Sequence, residues 1–388
     1  MASPADEVAT PVRAATGPVQ PKVVGNHLID ARNGHVWVPH GANWPDLEYA
    51  CVQGWVPDHP ADEAQRMASW GIDVVRLPLN QDCWLGTDGA NAGGFGTAGA
   101  YRAAVRARVD AAHDAGLVAI LDLHWTGPSG TRADGQRSMA DAQSATFWSQ
   151  VATAYRDDPS VMFELFNEPF SRPPNPLTWT CWRDGGCSLS TANDTTDPAG
   201  QGTYTAVGMG TLVANVRAAG STQPVLLGGL NYSNDLTQWL AFRPDDGQLV
   251  AAWHNYPGQG CWVSCWNTTI AGVAAQVPVL MTEFGYVAGD AGEFASTMTW
   301  ADDHGIGYLP WAWWRTDASD GAAAQLYALV DDDFAPKAPG GVLYHDHLAA
   351  LRATGGGTGG DTGAGTSLPP IGAATPGAAA VRMGVVSS

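Results

Sequence analysis

Lysine is nearly absent from this chain of 388 residues, with Lys22 and Lys337 the only two and neither at the end of a strand pattern. P-loop, kinase and Schiff-base chemistry each need a placed lysine amine, so all three are excluded. Basic charge as a whole is scarce, 19 Lys and Arg against 38 Asp and Glu, for a formal net charge of −19. Nucleic acids and anionic membrane surfaces call for a basic footprint, so neither is an expected partner. No run of about eighteen apolar residues occurs, so no stretch reads as membrane-spanning. Residues 1–21 lack an apolar h-region, so no signal peptide is visible. No glycine-rich dinucleotide fingerprint follows a strand pattern, and no cofactor is expected.

Cysteine is limited to six residues: Cys51, Cys83, Cys181, Cys187, Cys261 and Cys265. All fall in segments that read as loops, and the last four form two close pairs in sequence. Zinc ligation is the rival reading, but the spacings lack the two-residue knuckle of common structural sites. Disulfides Cys51–Cys83, Cys181–Cys187 and Cys261–Cys265 are therefore expected, and with them an exported, extracellular protein.

Between two poorly structured ends the pattern is regular. Residues 1–21, rich in Ala and Pro, read as disordered, and residues 354–388 as a flexible Gly/Thr/Pro linker or tail. Residues 22–353 read as one domain. A hairpin around Asp30–Gly34 precedes a first strand over Val36–Asn43. Strands at Ile72–Leu77, Leu117–Leu123, Val161–Phe166, Val225–Gly228, Leu249–His254, Val279–Thr282 and Ile306–Trp313 then alternate with helices, among them one over Tyr204–Ala219. Eight such units in some 330 residues predict an α/β fold, a (β/α)8 TIM barrel forming a single catalytic domain, ahead of an open doubly wound sheet.

Glutamate is the other scarce residue, seven against thirty-one aspartates. Two of the seven close apolar strands: Glu168 in VMFELFNEPF and Glu283 in PVLMTEFG. The C-terminal lip of a barrel strand is where α/β barrels keep their chemistry, and paired carboxylates there can divide the work of proton donor and nucleophile. Other strands end in Arg76, His124, Asn167, His254 with Tyr256, and Trp311. Glu164 and Asp122 lie in phase below Glu168 and His124, and a structural role beside Arg76 is expected of them. His345 and His347, two apart on a helix, face different ways, so no metal is expected there.

LDLHW at 121–125, FNEP at 166–169, HNY at 254–256 and TEFG at 282–285, in this order, resemble the retaining β-glycosidases of glycoside hydrolase family 5. The resemblance covers about residues 23–353. It implies that Glu168 is the acid/base and Glu283 the nucleophile, that Asn167 binds the sugar 2-hydroxyl, and that Arg76 and Tyr256 hold Glu283 ionised. It implies further that His124 and His254 line the reacting subsite and that Trp311, with Trp313 as alternative, is the platform beneath that sugar. The expected protein is a secreted, monomeric, retaining endo-β-1,4-glucanase acting on β-linked oligo- or polysaccharide. The alternatives are a β-mannanase, an exo-acting β-glucosidase or diglycosidase, a metal-dependent barrel hydrolase, and a carbohydrate-binding barrel without catalysis. Burial and the charge of Glu283 are expected to raise the pKa of Glu168 and give a pH bell on the acidic side of neutrality. Trp179, Trp182, Trp262 and Trp266, on loops tied by the two short disulfides, are expected to stack on sugar.

Overall fold

The computed structural model describes residues 17–354, apart from residues 60–61, 174, 194–195, 201, 287–290 and 317–320. Eight parallel strands form one sheet in chain order: β1 (Gly41–Asn43), β2 (Val74–Asn80), β3 (Val118–Trp125), β4 (Val161–Glu164), β5 (Val225–Gly228), β6 (Leu249–Asn255), β7 (Val279–Phe284) and β8 (Gly307–Pro310). A parallel bridge between His40 and Tyr308 brings β8 back against the approach to β1, and the sheet becomes a barrel. The long helices α1 (Glu63–Trp70), α2 (Ala98–Asp114), α3 (Ala142–Tyr155), α4 (Met209–Ala218), α5 (Ala291–Asp303) and α6 (Gly340–Ala353) wrap the outside. Short helical turns at Trp239–Phe242 and across 263–274 complete the eight units.

Strand alternation sorts the side chains into two cores. Val75, Leu77, Leu121, Phe163, Leu227 and Trp253 face outward and pack under the helices. Val74, Ile120, Met162, Leu226, Val250, Leu280 and Leu309 face inward and fill the lower barrel, where Val23, Leu28 and Trp37 close the bottom. One layer higher the inward positions turn polar: Arg76, Asp122, Glu164, Thr282 and His254 are all fully buried. A barrel interior has room for such a layer only if every charge in it finds a partner, which makes that layer the foundation of the mouth above.

Several expectations need adjustment. The turn at Asp30–Gly34 forms, with the Asp30 amide donating to His35 O at 2.9 Å, but an additional strand, Pro21–Val24, pairs antiparallel with His27–Asp30. Residues 17–21, read as disordered, therefore belong to the folded unit. The helix expected from Tyr204 starts only at Met209; Thr203–Thr205 instead pairs antiparallel with Ser188–Ser190. The alternation of polar and apolar residues across TYTA is the period of a strand, and pairing with Ser188–Ser190 realises it. Of the expected tail at 354–388, residues 355–388 lie outside the described residues, as do residues 1–16. Among the described residues no helix is long and apolar enough to cross a membrane.

All three expected disulfides are present: Cys51–Cys83, Cys181–Cys187 and Cys261–Cys265, with Cα separations of 6.2, 5.8 and 5.1 Å. No cysteine is left free.

Candidate active site

Arg76, inward on β2, is the hub beneath the mouth. Its Nε donates to Glu164 Oε2 at 2.7 Å, Nη1 to Asn43 Oδ1 at 2.9 Å and to Glu283 Oε1 at 2.7 Å, and Nη2 to Asn167 Oδ1 at 2.7 Å. Nη2 also lies 3.0 Å from Asp122 Oδ2. One planar guanidinium thus ties β1, β2, β3, β4 and β7 together, a geometry that lysine cannot reproduce. Burial would raise the Glu164 carboxyl, but the charge of Arg76 and the contacts of His254 outweigh it and hold it at about 2. Asp122 keeps the opposite direction, raised by burial despite Arg76 and His124.

The two glutamates stand above this layer, held differently. Glu283 accepts from Arg76 and, at 2.9 Å, from the Tyr256 hydroxyl. Burial and the charge of Glu283 keep the Tyr256 phenol protonated, so it donates. Glu168 lies four residues beyond the end of β4 and accepts from Gln136 Nε2 at 2.8 Å, while its Oε1 is 2.8 Å from His254 Nδ1. A register shift between β6 and β7 at Trp253/His254 aims that imidazole toward the mouth, the usual service of a bulge near a site. One oxygen of Glu168, one of Glu283 and a ring nitrogen of His254 all lie within 4.8 Å of one another.

The electrostatics correct the expected pKa of Glu168. Burial alone would raise it, but the hydrogen bond and charge of His254 prevail and hold it below the ordinary carboxyl value. His254 is shifted the other way: burial would lower it, and Glu283, Glu164 and Glu168 together raise it to about 10. The imidazole Nε2 lies 3.1 Å from Thr282 Oγ1, whose hydroxyl donates to Glu164 Oε1 at 3.0 Å. With the Thr282 proton so directed, Nε2 must be a donor. A single further proton is then shared along the line from His254 Nδ1 to Glu168 Oε1.

His124 accompanies Asn167 and Trp311. Its Nδ1 is 2.7 Å from Asp122 Oδ2, and its ring stacks on Trp311 at 5.4 Å with planes 14° apart. Trp311 is half-buried at the mouth, whereas Trp313 is 1 % exposed and packs edge-on against Trp70 at 4.8 Å. Of the two tryptophans only Trp311 is in a position to meet a ligand. Asn167 Nδ2 donates to Gln136 Oε1 at 2.9 Å. Gln136 therefore grips both residues of the Asn167–Glu168 pair, and sequence reading missed it because it sits in an aperiodic loop after β3. Asn43, the last residue of β1, donates to Thr282 O, Leu309 O and Pro310 O at 2.9 to 3.2 Å; it closes the expected first strand and so did carry the strand-end signal, but it was passed over.

Other expectations sort by contact. His345 pairs with the exposed Asp346 and His347 with Asp302, at 3.0 and 2.7 Å, so the two rings do face different ways. The loop tryptophans are a correction. Trp182 is fully buried with its indole N–H on Gly228 O at 2.9 Å, Trp179 packs on it edge-to-face at 5.2 Å, and Trp266 is buried beside Trp253. These rings anchor the loops to the barrel and are closed to sugar; only Trp262 keeps a half-exposed face. Trp182→Ala is accordingly expected to cost about 3–5 kcal/mol of stability, read from denaturant unfolding, through the cavity it leaves and not through lost substrate affinity.

Two carboxylates facing one another over a barrel mouth, one sharing a proton with an imidazole and the other fixed by a guanidinium, suit hydrolysis of a glycosidic bond, and known proteins agree. The chain belongs to the cellulase family, glycosyl hydrolase family 5, whose sequence model matches residues 33–317. Among curated relatives, Endoglucanase N of Pectobacterium atrosepticum is 24% identical over 319 residues, 79% of this chain and 59% of that protein. Endoglucanase A of Evansella cellulosilytica is 22% identical over 293 residues, 74% of this chain and 49% of that protein. This chain thus spans about half the length of these curated relatives. Among solved structures, the β-glucanase SdGluc5_26A of Saccharophagus degradans in complex with cellotetraose superimposes with a TM-score of 0.64 at 18% identity, covering 90% of this chain and 100% of that one. A β-mannanase from Thermomonospora fusca superimposes with a TM-score of 0.58 at 19% identity, covering 85% and 95%. The chain thus shares the TIM barrel of these structures and belongs to a family of glycoside hydrolases.

Proposed function

We propose that the protein is a secreted, retaining endo-β-1,4-glucanase, with Glu168 as acid/base and Glu283 as nucleophile. The observation that carries this reading is that one oxygen of Glu168 and one of Glu283 lie within 4.8 Å of each other. Retaining pairs sit about 5–5.5 Å apart, while inverting pairs stand about 6.5–9.5 Å apart to admit a water. A Glu283 oxygen attacks the anomeric carbon while Glu168 passes its proton to the departing glycosidic oxygen. Water then attacks the glycosyl–Glu283 ester, giving its proton to Glu168 and releasing Glu283. Asn167 and the Trp311 face hold the reacting ring. The endoglucanase relatives support β-1,4-glucan as the substrate, and three disulfides with no free cysteine support export. Proton NMR during hydrolysis of a soluble β-1,4-glucan tests the reading: the β-anomer should appear first, with viscosity falling faster than reducing ends rise. First appearance of the α-anomer would sink retention, and a preference for mannan would sink the substrate.

The shared proton changes the expected pH behaviour. The acid can be supplied as long as the Glu168–His254 pair retains one proton, which is lost only as the pH climbs toward the His254 value of about 10. The basic limb of kcat/KM should therefore lie on the alkaline side of neutrality, in place of the acid-side bell. In His254→Asn the partner that lowers Glu168 is gone, burial remains, and the limb should move down toward the carboxyl range. A limb at the same pH in both proteins would contradict the shared proton.

A further inference from the structure

The strongest unexplained surface feature is Trp55, 38 % exposed at the edge of the mouth. A large ring left in water is commonplace by itself; what distinguishes this one is the apparatus that immobilises it. The turn Ala50–Gln53 ends on Gly54 at φ 89°, a left-handed conformation, and the Trp55 amide donates back to Ala50 O at 3.0 Å. Cys51 in that turn is bonded to Cys83 in the turn after β2. The backbone of 93–94 is pressed so close that a Cβ on Gly94 would stand 2.8 Å from Trp55 N, and one on Gly93 2.9 Å from Gly54 Cα. The indole N–H is held by Gln53 Oε1 at 3.0 Å.

Trp55 is also the outer end of a row of aromatic side chains that starts at the reacting centre. Trp311 meets Trp314 edge-to-face at 5.6 Å, Trp314 Nε1 donates to the Tyr49 hydroxyl at 3.2 Å, and Tyr49 leans on Trp55 at 5.7 Å. Trp311, Trp314 and Tyr49 are each half-buried. The row runs over β8 and the loop after β1. In an eight-stranded barrel β8 lies opposite β4, the strand that leads to Glu168. The leaving group departs on the Glu168 side, so the row follows the part of the chain that stays bound.

We propose that Trp55 is an outer stacking subsite for the non-reducing end of a β-linked glucan, prearranged by the Cys51–Cys83 bridge and the 93–94 backbone, and that it makes the enzyme prefer longer chains. This rests on the glucanase reading above. Rings fixed in advance give up little entropy on binding, so the contact is returned almost wholly as affinity. The test compares the ratio of kcat/KM on a β-1,4-linked glucohexaose to that on an aryl β-cellobioside, which has only two sugars on the non-reducing side of the cleaved bond. In Trp55→Ala the ratio should fall roughly tenfold, and in Trp55→Phe it should largely recover. Unchanged melting of Trp55→Ala would show that the turn still folds, and a variant that melts lower but keeps the wild-type ratio overturns the subsite. Equal losses on both substrates likewise overturn the subsite while leaving the glucanase intact. A wild type inactive on both substrates overturns the glucanase and the subsite with it.

Discussion

Glu283→Ala should lose roughly 10⁴- to 10⁶-fold in kcat on every glycoside, because without a nucleophile no covalent intermediate forms. Glu168→Ala should lose about 10²- to 10⁴-fold on polymer, the ordinary worth of a positioned proton donor, yet glycosylation by a dinitrophenyl glycoside should be nearly spared, since that leaving group departs without a proton. The separation follows from the geometry: Glu283 is held by Arg76 and Tyr256 and Glu168 by Gln136, with His254 2.8 Å from Glu168 and 3.6 Å from Glu283. Steady-state and burst kinetics on both substrates check it. Equal losses on the activated glycoside would reverse or abolish the role assignment.

Arg76→Met should destabilise the protein by about 3–5 kcal/mol at neutral pH, since it leaves buried carboxylates without their counter-charge. The sign of the pH dependence is fixed by Glu164. Its carboxyl is held at about 2 against an ordinary 4.5, so it contributes stability that is present above the ordinary value and lost as the pH falls toward 2. The variant lacks that contribution, and the gap between the two proteins should narrow across this window. Urea unfolding at pH 7 and pH 3 measures both ends; a gap below 1 kcal/mol at pH 7, or one that widens on acidification, would contradict the hub.

Much of this site was legible because strand ends announce themselves. Glu168 and Glu283 each close a short apolar run, and His124 and His254 fall next to the ends of their own strands, while Arg76 lies deeper because β2 continues to Asn80. The in-phase positions of Asp122 and Glu164 placed them beside Arg76 by the period of two alone. Asn43 closes β1 and gave the same signal, though it was passed over; Gln136 gave none, because its partners are set by a loop path that no periodicity encodes. The burial of Trp182 and Trp266 was equally hidden: a tryptophan in a loop bounded by cysteines looks the same in sequence whether it faces sugar or the barrel wall. The direction of the Glu168 shift depends on a partner 86 positions away in the chain, and burial without that partner pointed the wrong way.

The wiring of Arg76 bears on how the chain is made. Synthesis delivers Arg76, Asp122 and Glu164 first, and Glu283 only 207 positions after the arginine. A nascent chain ending before β7 already holds a guanidinium with two carboxylates able to neutralise it, so the first four strands can collapse without a stranded cation. Closure waits for the last two strands, when Asn43 near the beginning captures the carbonyls of Thr282, Leu309 and Pro310 near the end. Contacts of such long range are slow to form, and until they do β1 and β8 are open edges that any other half-made chain can pair with. The arginine that fixes Glu283 is therefore made long before its last partner, and the mouth is completed in the same step that removes the edges.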